Sequence, residues 1–108
     1  MREAEVYRNN ELAGFLIEEN LNSYTFRYKD IYFNDLTKKA ISLTFPKTQQ
    51  EYRSQKLFPF FYNMLSEGVN KKLQSRHLKI DEEDSFGLLL ATAQYDTIGA
   101  ITIKPITK

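Results

Sequence analysis

The sequence predicts an α+β fold: an antiparallel meander of about four to five strands, with about three helices inserted before the last strand. The N-terminal part carries short runs of β-branched and aromatic residues separated by asparagine-rich turns. The second half carries apolar residues at helical spacing, and a short β-branched run returns near the C-terminus. Strands followed by helices and a final strand are typical of an α+β domain rather than of an alternating parallel fold.

Residues 5–8 and 12–18 are predicted to form the first two strands, because their apolar residues are the types that half-buried strands prefer. Between them lie Asn9 and Asn10, and asparagine tolerates the positive φ that tight hairpin turns need. Gly14 interrupts the second strand, which indicates a β-bulge or a close approach of another backbone.

A second turn is predicted at residues 20–22, followed by a third strand over residues 24–28 whose aromatic side chains alternate onto one face. Residues 29–39 are weakly patterned and are expected to be irregular. A short strand is expected over residues 40–45, where it would stop at a proline. Residues 47–56 are polar and are expected to form an exposed loop.

Two helices are predicted in the segment that follows. The first covers residues 59–65, because Pro59 suits the first turn of a helix. The second runs from Glu67 to about Leu78, with apolar residues at four-residue spacing.

A third helix and a last strand complete the predicted fold. The helix runs from an N-cap at Asp81 to about Gln94, with acidic residues in its first turn. The last strand covers residues 99–103, shortly before Pro105.

Composition narrows the class of protein. The length of 108 residues predicts one domain over residues 1–108. The net charge of +1 gives no broad basic surface for nucleic acid or for an anionic membrane. Cysteine is absent, which excludes disulfides, thiolate metal sites and thiol catalysis. The charged N-terminus and the short apolar runs predict a cytoplasmic protein that does not contact membranes.

The sequence contains no recognisable catalytic, metal-binding or cofactor-binding constellation, so no enzyme activity and no cofactor are predicted. His77 is the only histidine, and packing at the surface or a helix end explains it. The acidic run at residues 81–84 lacks the spacing of a calcium loop and fits a helix N-terminus. The serines have no base arranged around them, and the four glycines form no phosphate-binding loop.

Two surfaces leave a binding role open. The aromatic run at residues 58–62 is mostly a core segment, but four large apolar side chains cannot all face inward on one short helix. One or two of them would then be exposed or covered by a partner. The basic residues between Lys71 and Lys79 could contact single-stranded nucleic acid, although a solvated helix face is the favoured interpretation.

Residues 57–68, Leu-Phe-Pro-Phe-Phe-Tyr-Asn-Met-Leu-Ser-Glu-Gly, resemble the Pro-Phe-Phe-x-Asn-Leu-Leu-Pro-Glu-Gly motif of the HipA N-terminal subdomain. Two further blocks agree in order and spacing: Asp81-x-x-Asp84-x-Phe86-x-Leu88-Leu89 resembles the family's following helix, and Asp96-Thr97-Ile98-Gly99-Ala100-Ile101 resembles its Asp-x-x-Gly-Ala strand entry. The opening hairpin, from Val6-Tyr7 to Gly14-Phe15-Leu16, fits as well. The resemblance covers almost the whole chain. Only residues 57–68 carry a fairly specific motif, and the other blocks support it in combination.

Full-length HipA proteins are bacterial Ser/Thr kinase toxins, and this chain resembles only the subdomain that precedes the kinase body. The resemblance therefore implies a stand-alone component similar to the HipS proteins of three-gene HipBST modules. Such a component would be an antitoxin or accessory subunit that docks on and restrains a HipA-like kinase encoded nearby. A HipB-like DNA-binding repressor is a further partner that the resemblance leaves open. A structural subunit that completes a split kinase without inhibiting it is the alternative.

The chain departs from the family motif at two positions: Ser66 replaces its second proline, and Tyr62 replaces the acidic residue after Phe-Phe. Val69 stands where some stand-alone relatives carry a tryptophan, so inhibition by an inserted indole is unsupported. Because a loop-to-helix junction offers polar groups and backbone N–H donors, partner contacts are predicted there. The predicted partner-binding residues are Tyr62, Ser66, Glu67, Gly68, Val69 and Asn70.

Overall fold

A computed structural model describes residues 2–62, 84–92 and 101–106. These residues form an α+β fold with a five-stranded antiparallel sheet and three short helices, which confirms the predicted class. The strands are β1 Arg2–Arg8, β2 Glu11–Asn20, β3 Ser23–Tyr28, β4 Glu51–Ser54 and β5 Ile101–Pro105. The helices are α1 Asp30–Asn34, α2 Pro59–Tyr62 and α3 Ser85–Thr92.

The strand order is β4-β3-β2-β1-β5, with every neighbouring pair antiparallel. The first three strands form the predicted meander. The last strand then returns to the opposite side of the sheet and pairs with β1, so the first and last strands lie side by side. The strand β1 is therefore an interior strand, and β4 and β5 are the two edges.

The turn and bulge predictions in the first hairpin are confirmed. Asn9 and Asn10 have φ values of 51° and 65°, as expected for a two-residue hairpin turn. The pairing of β1 with β2 shifts register at Val6, and the extra residue of this β-bulge lies next to Gly14. A Cβ atom on Gly14 would overlap the backbone oxygen of Arg27 on β3, so the glycine lets the two strands approach.

One face of the sheet carries the core. The buried strand residues on this face are Ala4, Val6, Leu16, Tyr24, Phe26, Tyr28, Ile101 and Ile103. The helices, the loop before β4 and the connection from β4 to α2 pack further buried aromatic and aliphatic side chains on this face: Tyr32, Ile41, Phe45, Phe58, Phe61, Phe86, Leu88 and Leu89. The predicted alternation along β3 is confirmed by its three buried aromatic residues.

The prediction of an irregular segment over residues 29–39 was wrong in part, because α1 occupies its first half. Two aromatic contacts hold this short helix against the sheet. The ring of Tyr32 stacks on the ring of Tyr28 with 5.9 Å between centroids, and Phe33 packs against Tyr28 at 6.3 Å. Tertiary packing therefore stabilises a helix that is too short to form alone.

The predicted strand over residues 40–45 was also wrong, since this segment consists of bends and turns. Its backbone groups bond to side chains instead of to a neighbouring strand. The amide of Ile41 donates to the hydroxyl of Tyr28 at 3.1 Å, and that hydroxyl donates to the carbonyl of Phe45. The Ser42 hydroxyl accepts from the amide of Thr44 at 3.2 Å, which closes a local turn.

The prediction of a loop over residues 47–56 missed β4, which pairs with β3 along the sheet edge. Near the C-terminus, the predicted last strand is confirmed from Ile101 onward and extends to Pro105. A proline is tolerated there because β5 is an edge strand.

The helix prediction after β4 is confirmed for α2 as far as Tyr62, and the helix predicted over residues 67–78 lies outside the described residues. The structure corrects the N-cap of the next helix. The helix α3 begins at Ser85, and Asp84 rather than Asp81 accepts the amide hydrogen of Gly87 at 3.1 Å. Within the described part of the chain, no helix is long and apolar enough to cross a membrane.

Candidate protein-docking site

The helix α2 divides the aromatic run between core and surface. Phe58 and Phe61 are 8% and 0% exposed, Phe60 is half-buried, and Tyr62 is 42% exposed. The amides of Phe61 and Tyr62 both donate to the carbonyl of Phe58, at 3.0 and 2.9 Å, and so close one helical turn. The expectation that one or two side chains of this run would be exposed is therefore confirmed.

The buried side of α2 is fixed by aromatic contacts with the sheet and with the loop before β4. The Phe61 ring lies 5.8 Å from the Phe26 ring and 5.6 Å from the Phe45 ring, measured between centroids. Phe58 packs edge-to-face on Phe45 at 5.1 Å. Aromatic pairs at these distances add to the free energy of burial. Because Phe58 and Phe61 are fixed in the core, the orientation of α2 and the surface position of Tyr62 are fixed as well.

Tyr62 is the one predicted docking residue within the described part of the chain. It lies at the end of α2 with its side chain at the surface. The other five predicted residues, Ser66, Glu67, Gly68, Val69 and Asn70, lie outside the described residues. The structure therefore describes only the first residue of the candidate site, Tyr62, whose side chain reaches the surface from a helix packed on the core.

A second exposed surface was not predicted from the sequence. Residues 35–50 connect α1 to β4, and we call them the tyrosine-anchored loop. Leu36 and Leu43, in two turns of this loop, are 96% and 99% exposed. The sequence could not identify them, because these leucines are indistinguishable in type and spacing from the buried residues around them.

Three tyrosine hydroxyls hold the tyrosine-anchored loop on the sheet. Tyr28 donates to the carbonyl of Phe45, Tyr32 to that of Lys39 at 2.5 Å, and Tyr52 to that of Pro46 at 2.5 Å. Burial raises the pKa of Tyr28 to about 12, so the hydroxyl remains a donor throughout the physiological range.

Lys47 closes the base of the same loop. Its Nζ donates to the carbonyls of Asp35 and Lys38 at 2.6 and 2.9 Å, and it lies 5.0 Å from the centre of the Tyr32 ring. An ammonium group placed between two carbonyls and an aromatic face is well satisfied. The two exposed leucines are therefore carried by an ordered loop.

A charged cluster joins α3 to the sheet. The guanidinium of Arg2 makes a bidentate pair with Asp84 at 2.8 and 3.0 Å, and its Nε donates to the buried Glu18 at 2.8 Å. The Tyr24 hydroxyl donates to the other Glu18 oxygen at 3.0 Å. Arg2 also lies over the ring of Phe86, with 5.2 Å to its centroid.

The pKa values in this cluster favour a structural role. The hydrogen bond from Arg2 lowers the pKa of Asp84, and the hydrogen bond to Asp84 raises the pKa of Arg2, so both groups stay charged. Burial, together with the hydrogen bond to Glu18, raises the pKa of Tyr24 to about 12. Asp84 is the described member of the predicted acidic run, and pairing with Arg2 accounts for it.

The described residues contain no cluster of three or more His, Asp or Glu side chains that could hold a metal ion. His77 and the basic residues from Lys71 to Lys79 lie outside the described part of the chain. The large apolar side chains that the described surface exposes are Tyr62 at the end of α2, Leu36 and Leu43 on the tyrosine-anchored loop, Leu21 in the turn between β2 and β3, and Ile31 of α1. Such a surface suits contact with another protein.

Two comparisons with known proteins, by family model and by solved structure, give the same family, and a third finds a relative of similar length. The family model of the HipA N-terminal domain matches residues 4–104. An uncharacterized protein of Haemophilus influenzae is 32% identical over 104 residues, which cover 96% of this chain and 92% of that protein. A solved structure of the N-terminal domain of HipA toxin is 29% identical, with a TM-score of 0.74, and the match covers 100% of this chain and 95% of that domain.

The match extends over nearly the whole chain, and the sheet and short helices described above occupy that same span. This chain belongs to the HipA N-terminal domain family.

Proposed function

We propose that this protein is a non-enzymatic binding module that docks on a separate HipA-like Ser/Thr kinase in the bacterial cytoplasm and restrains it, as the antitoxin or accessory subunit of a toxin–antitoxin system. A HipA N-terminal domain is itself a non-catalytic domain. The observation that carries the proposal is the extent of the match, which covers all of this chain and 95% of the solved HipA N-terminal domain. The relative from Haemophilus influenzae likewise consists almost entirely of this domain.

The surface of α2 supports docking at its C-terminal end. Tyr62 is exposed, while Phe58 and Phe61 in the same turn are buried and hold the helix. An aromatic side chain on a fixed support loses little conformational entropy on binding, which is why such residues often anchor interfaces. We propose that Tyr62 begins the contact and that Ser66, Glu67, Gly68, Val69 and Asn70 continue it.

Co-expression with the kinase encoded nearby, followed by size-exclusion chromatography, tests the docking proposal. We expect the two proteins to elute together, and Tyr62→Ala to weaken the complex by about tenfold or more. The matched control is Leu21→Ala, which shortens an exposed apolar side chain in the turn between β2 and β3. Separate elution of the wild-type proteins at about 10 µM would exclude a docking complex of useful affinity.

A growth assay separates restraint from the alternative role of a structural subunit. Cells would express the kinase alone, the kinase with this chain, or the kinase with the Tyr62→Ala variant. We expect the wild-type chain to relieve growth arrest and the variant to relieve it less. A kinase that is toxic only together with this chain would instead identify the chain as a part of the active toxin.

A further inference from the structure

The second face of the sheet, opposite the core, is not covered by any described helix. We call it the outer face; its members, which alternate with the core residues along the paired strands, are Glu3, Glu5, Tyr7, Phe15, Ile17, Thr25, Arg27, Glu51, Arg53, Thr102 and Lys104. Each described helix instead packs on the core face through at least one aromatic residue. Tyr32 of α1 stacks on Tyr28, while Phe61 of α2 and Phe86 of α3 pack at a tilt against Phe26 and Tyr24.

Strand register places five outer-face residues in one row across the sheet. Residues paired across neighbouring strands share a face. Lys104 pairs with Glu5, Glu5 with Phe15, Phe15 with Arg27, and Arg27 with Glu51. From edge to edge the row therefore has the order positive, negative, apolar, positive and negative, centred on the middle strand β2.

This order is complementary to itself when reversed about Phe15. If a second copy faces the sheet across a two-fold axis parallel to β2, each strand meets the strand at the mirrored position in the order. Glu5 then faces Arg27 of the other copy, Lys104 faces Glu51, and the two Phe15 side chains meet at the axis. We propose that the outer face is a homodimer interface, occupied by a second copy of this chain in that orientation.

Two neighbouring features fit the same symmetry. The adjacent row places Ile17 next to Phe15 on β2, so the centre of the interface is an apolar strip along the axis.

On the β3 side of Phe15, an open depression of about 350 Å³ is lined by Arg27, Lys29, Asp30 and Ile31, with Ile31 74% exposed. In the dimer this depression faces Tyr7 of the second copy, because Tyr7 lies at the mirrored position on β1.

The charged side chains of the row can exchange their present partners at low cost. Arg27 now pairs with Asp30 at 3.4 Å and with Glu51 at 3.7 Å, and all three side chains are at least one-third exposed. Exposed pairs of this kind contribute little to folding. Lys104 lies over the Tyr7 ring, 4.9 Å from its centroid. Rim charges of this sort mainly set orientation, and their effect weakens as salt is added.

The size of the face predicts a weak dimer. Five strands spaced about 4.8 Å apart and about 17–20 Å long make a flat area of about 400–480 Å², which is smaller than the area of about 800 Å² per partner that stable complexes bury. We expect sedimentation velocity on the full chain, from about 5 to about 500 µM, to show a dimer fraction that rises with concentration and falls with added salt.

Charge-reversal variants test the orientation. Glu5→Lys and Arg27→Glu each place like charges together twice in a symmetric dimer, so each should weaken dimerisation by about tenfold or more. In an equimolar mixture of the two variants both contacts again join opposite charges, so a heterodimer should form. Lys39→Glu, an exposed charge reversal on the tyrosine-anchored loop, is the matched control and should leave the dimer unchanged.

A second pair of variants, Glu51→Lys and Lys104→Glu, serves if circular dichroism shows that either of the first two is unfolded. Each of these variants alone should also weaken dimerisation, and an equimolar mixture of the two should again form a heterodimer. A wild-type chain that stays monomeric at the highest concentration overturns the proposal. So does a wild-type dimer that survives every single charge reversal, because its interface would then lie elsewhere. If the chain is monomeric and these variants impair kinase binding instead, the outer face belongs to the kinase.

Discussion

Several tyrosine hydroxyls in the described part of the chain make tertiary hydrogen bonds. Tyr28, Tyr32 and Tyr52 donate to carbonyl oxygens of the tyrosine-anchored loop, and Tyr24 donates to the buried Glu18. The first three bonds satisfy carbonyls that lack a strand partner, which would otherwise cost free energy where they are buried. The rings fill the core while the hydroxyls fix the loop above it.

The substitution Tyr28→Phe should lower the free energy of unfolding by about 1–3 kcal/mol. It keeps the ring and its stacking on Tyr32, but it leaves the Phe45 carbonyl and the Ile41 amide without their partner. Urea denaturation measures the change. Tyr7→Phe is the matched control, because its hydroxyl bonds to the carboxylate of nearby Glu5 at 3.1 Å rather than to the tyrosine-anchored loop. An equal loss in this variant would contradict the assignment.

Stability should fall as the pH rises between about 10 and about 12. The pKa values of Tyr24 and Tyr28 are raised from 10.0 to about 12, because the folded protein buries the neutral phenols. A raised folded-state pKa contributes stability below the unfolded value, and that contribution is lost as the pH rises through the folded value. Denaturation at several alkaline pH values tests this, and the Tyr24→Phe and Tyr28→Phe variants should each show a shallower decline.

At the scale of elements, the predictions were right for helices, strands and turns that are determined by their own residues, and wrong for those that depend on contacts with distant residues. The first hairpin follows from two asparagines that accept positive φ, and β3 follows from its alternating aromatics. The helix α1, the bends at residues 40–45 and the strand β4 depend on distant partners: the Tyr28 ring, the Tyr28 hydroxyl and the free edge of β3. Sequence periodicity carries no information about such partners.

The same distinction applies to the candidate site. Crowding of large side chains on one short helix was enough to predict that part of the aromatic run would reach the surface, and Tyr62 does. Which side chains of the run stay inside depends on where Phe26 and Phe45 lie. The exposure of Leu36 and Leu43 depends on the hydrogen bonds of the tyrosine-anchored loop, and those are tertiary.

One bidentate ion pair adds to the buried Phe86, Leu88 and Leu89 in holding α3 on the sheet. Asp84→Asn should therefore lower the free energy of unfolding by about 1 kcal/mol. The loss should be local: hydrogen exchange should accelerate most in the amides of α3. The substitution keeps an oxygen that can accept from the Gly87 amide, which isolates the pairing with Arg2.

Acid should act on the same contact. The pKa of Asp84 is lowered from 3.8, so its stabilising effect is present above that value and disappears as the pH falls through the folded value. The Asp84→Asn variant should therefore lose less stability than the wild-type protein in this acidic range. An identical acid profile for the two proteins would contradict the role of the pair.

At the scale of the whole molecule, one aromatic cluster connects the sheet, the tyrosine-anchored loop and α2. Phe61→Ala should remove about 3–5 kcal/mol of stability, a large fraction of what a small domain has. Tyr62→Ala, one residue away and 42% exposed, should change stability far less. Thermal unfolding of the two variants measures the difference, and equal losses would show that Tyr62 is part of the core.

The position of β1 between β2 and β5 has a consequence for synthesis. The meander β1–β2–β3 can pair as soon as it leaves the ribosome, but the second edge of β1 has no partner until β5 is made. At about 5–20 residues per second, the interval from residue 8 to residue 101 lasts on the order of 5–20 s. During that interval the nascent chain presents an unpaired edge with Val6 on its apolar face, which nearby nascent chains or chaperones can reach.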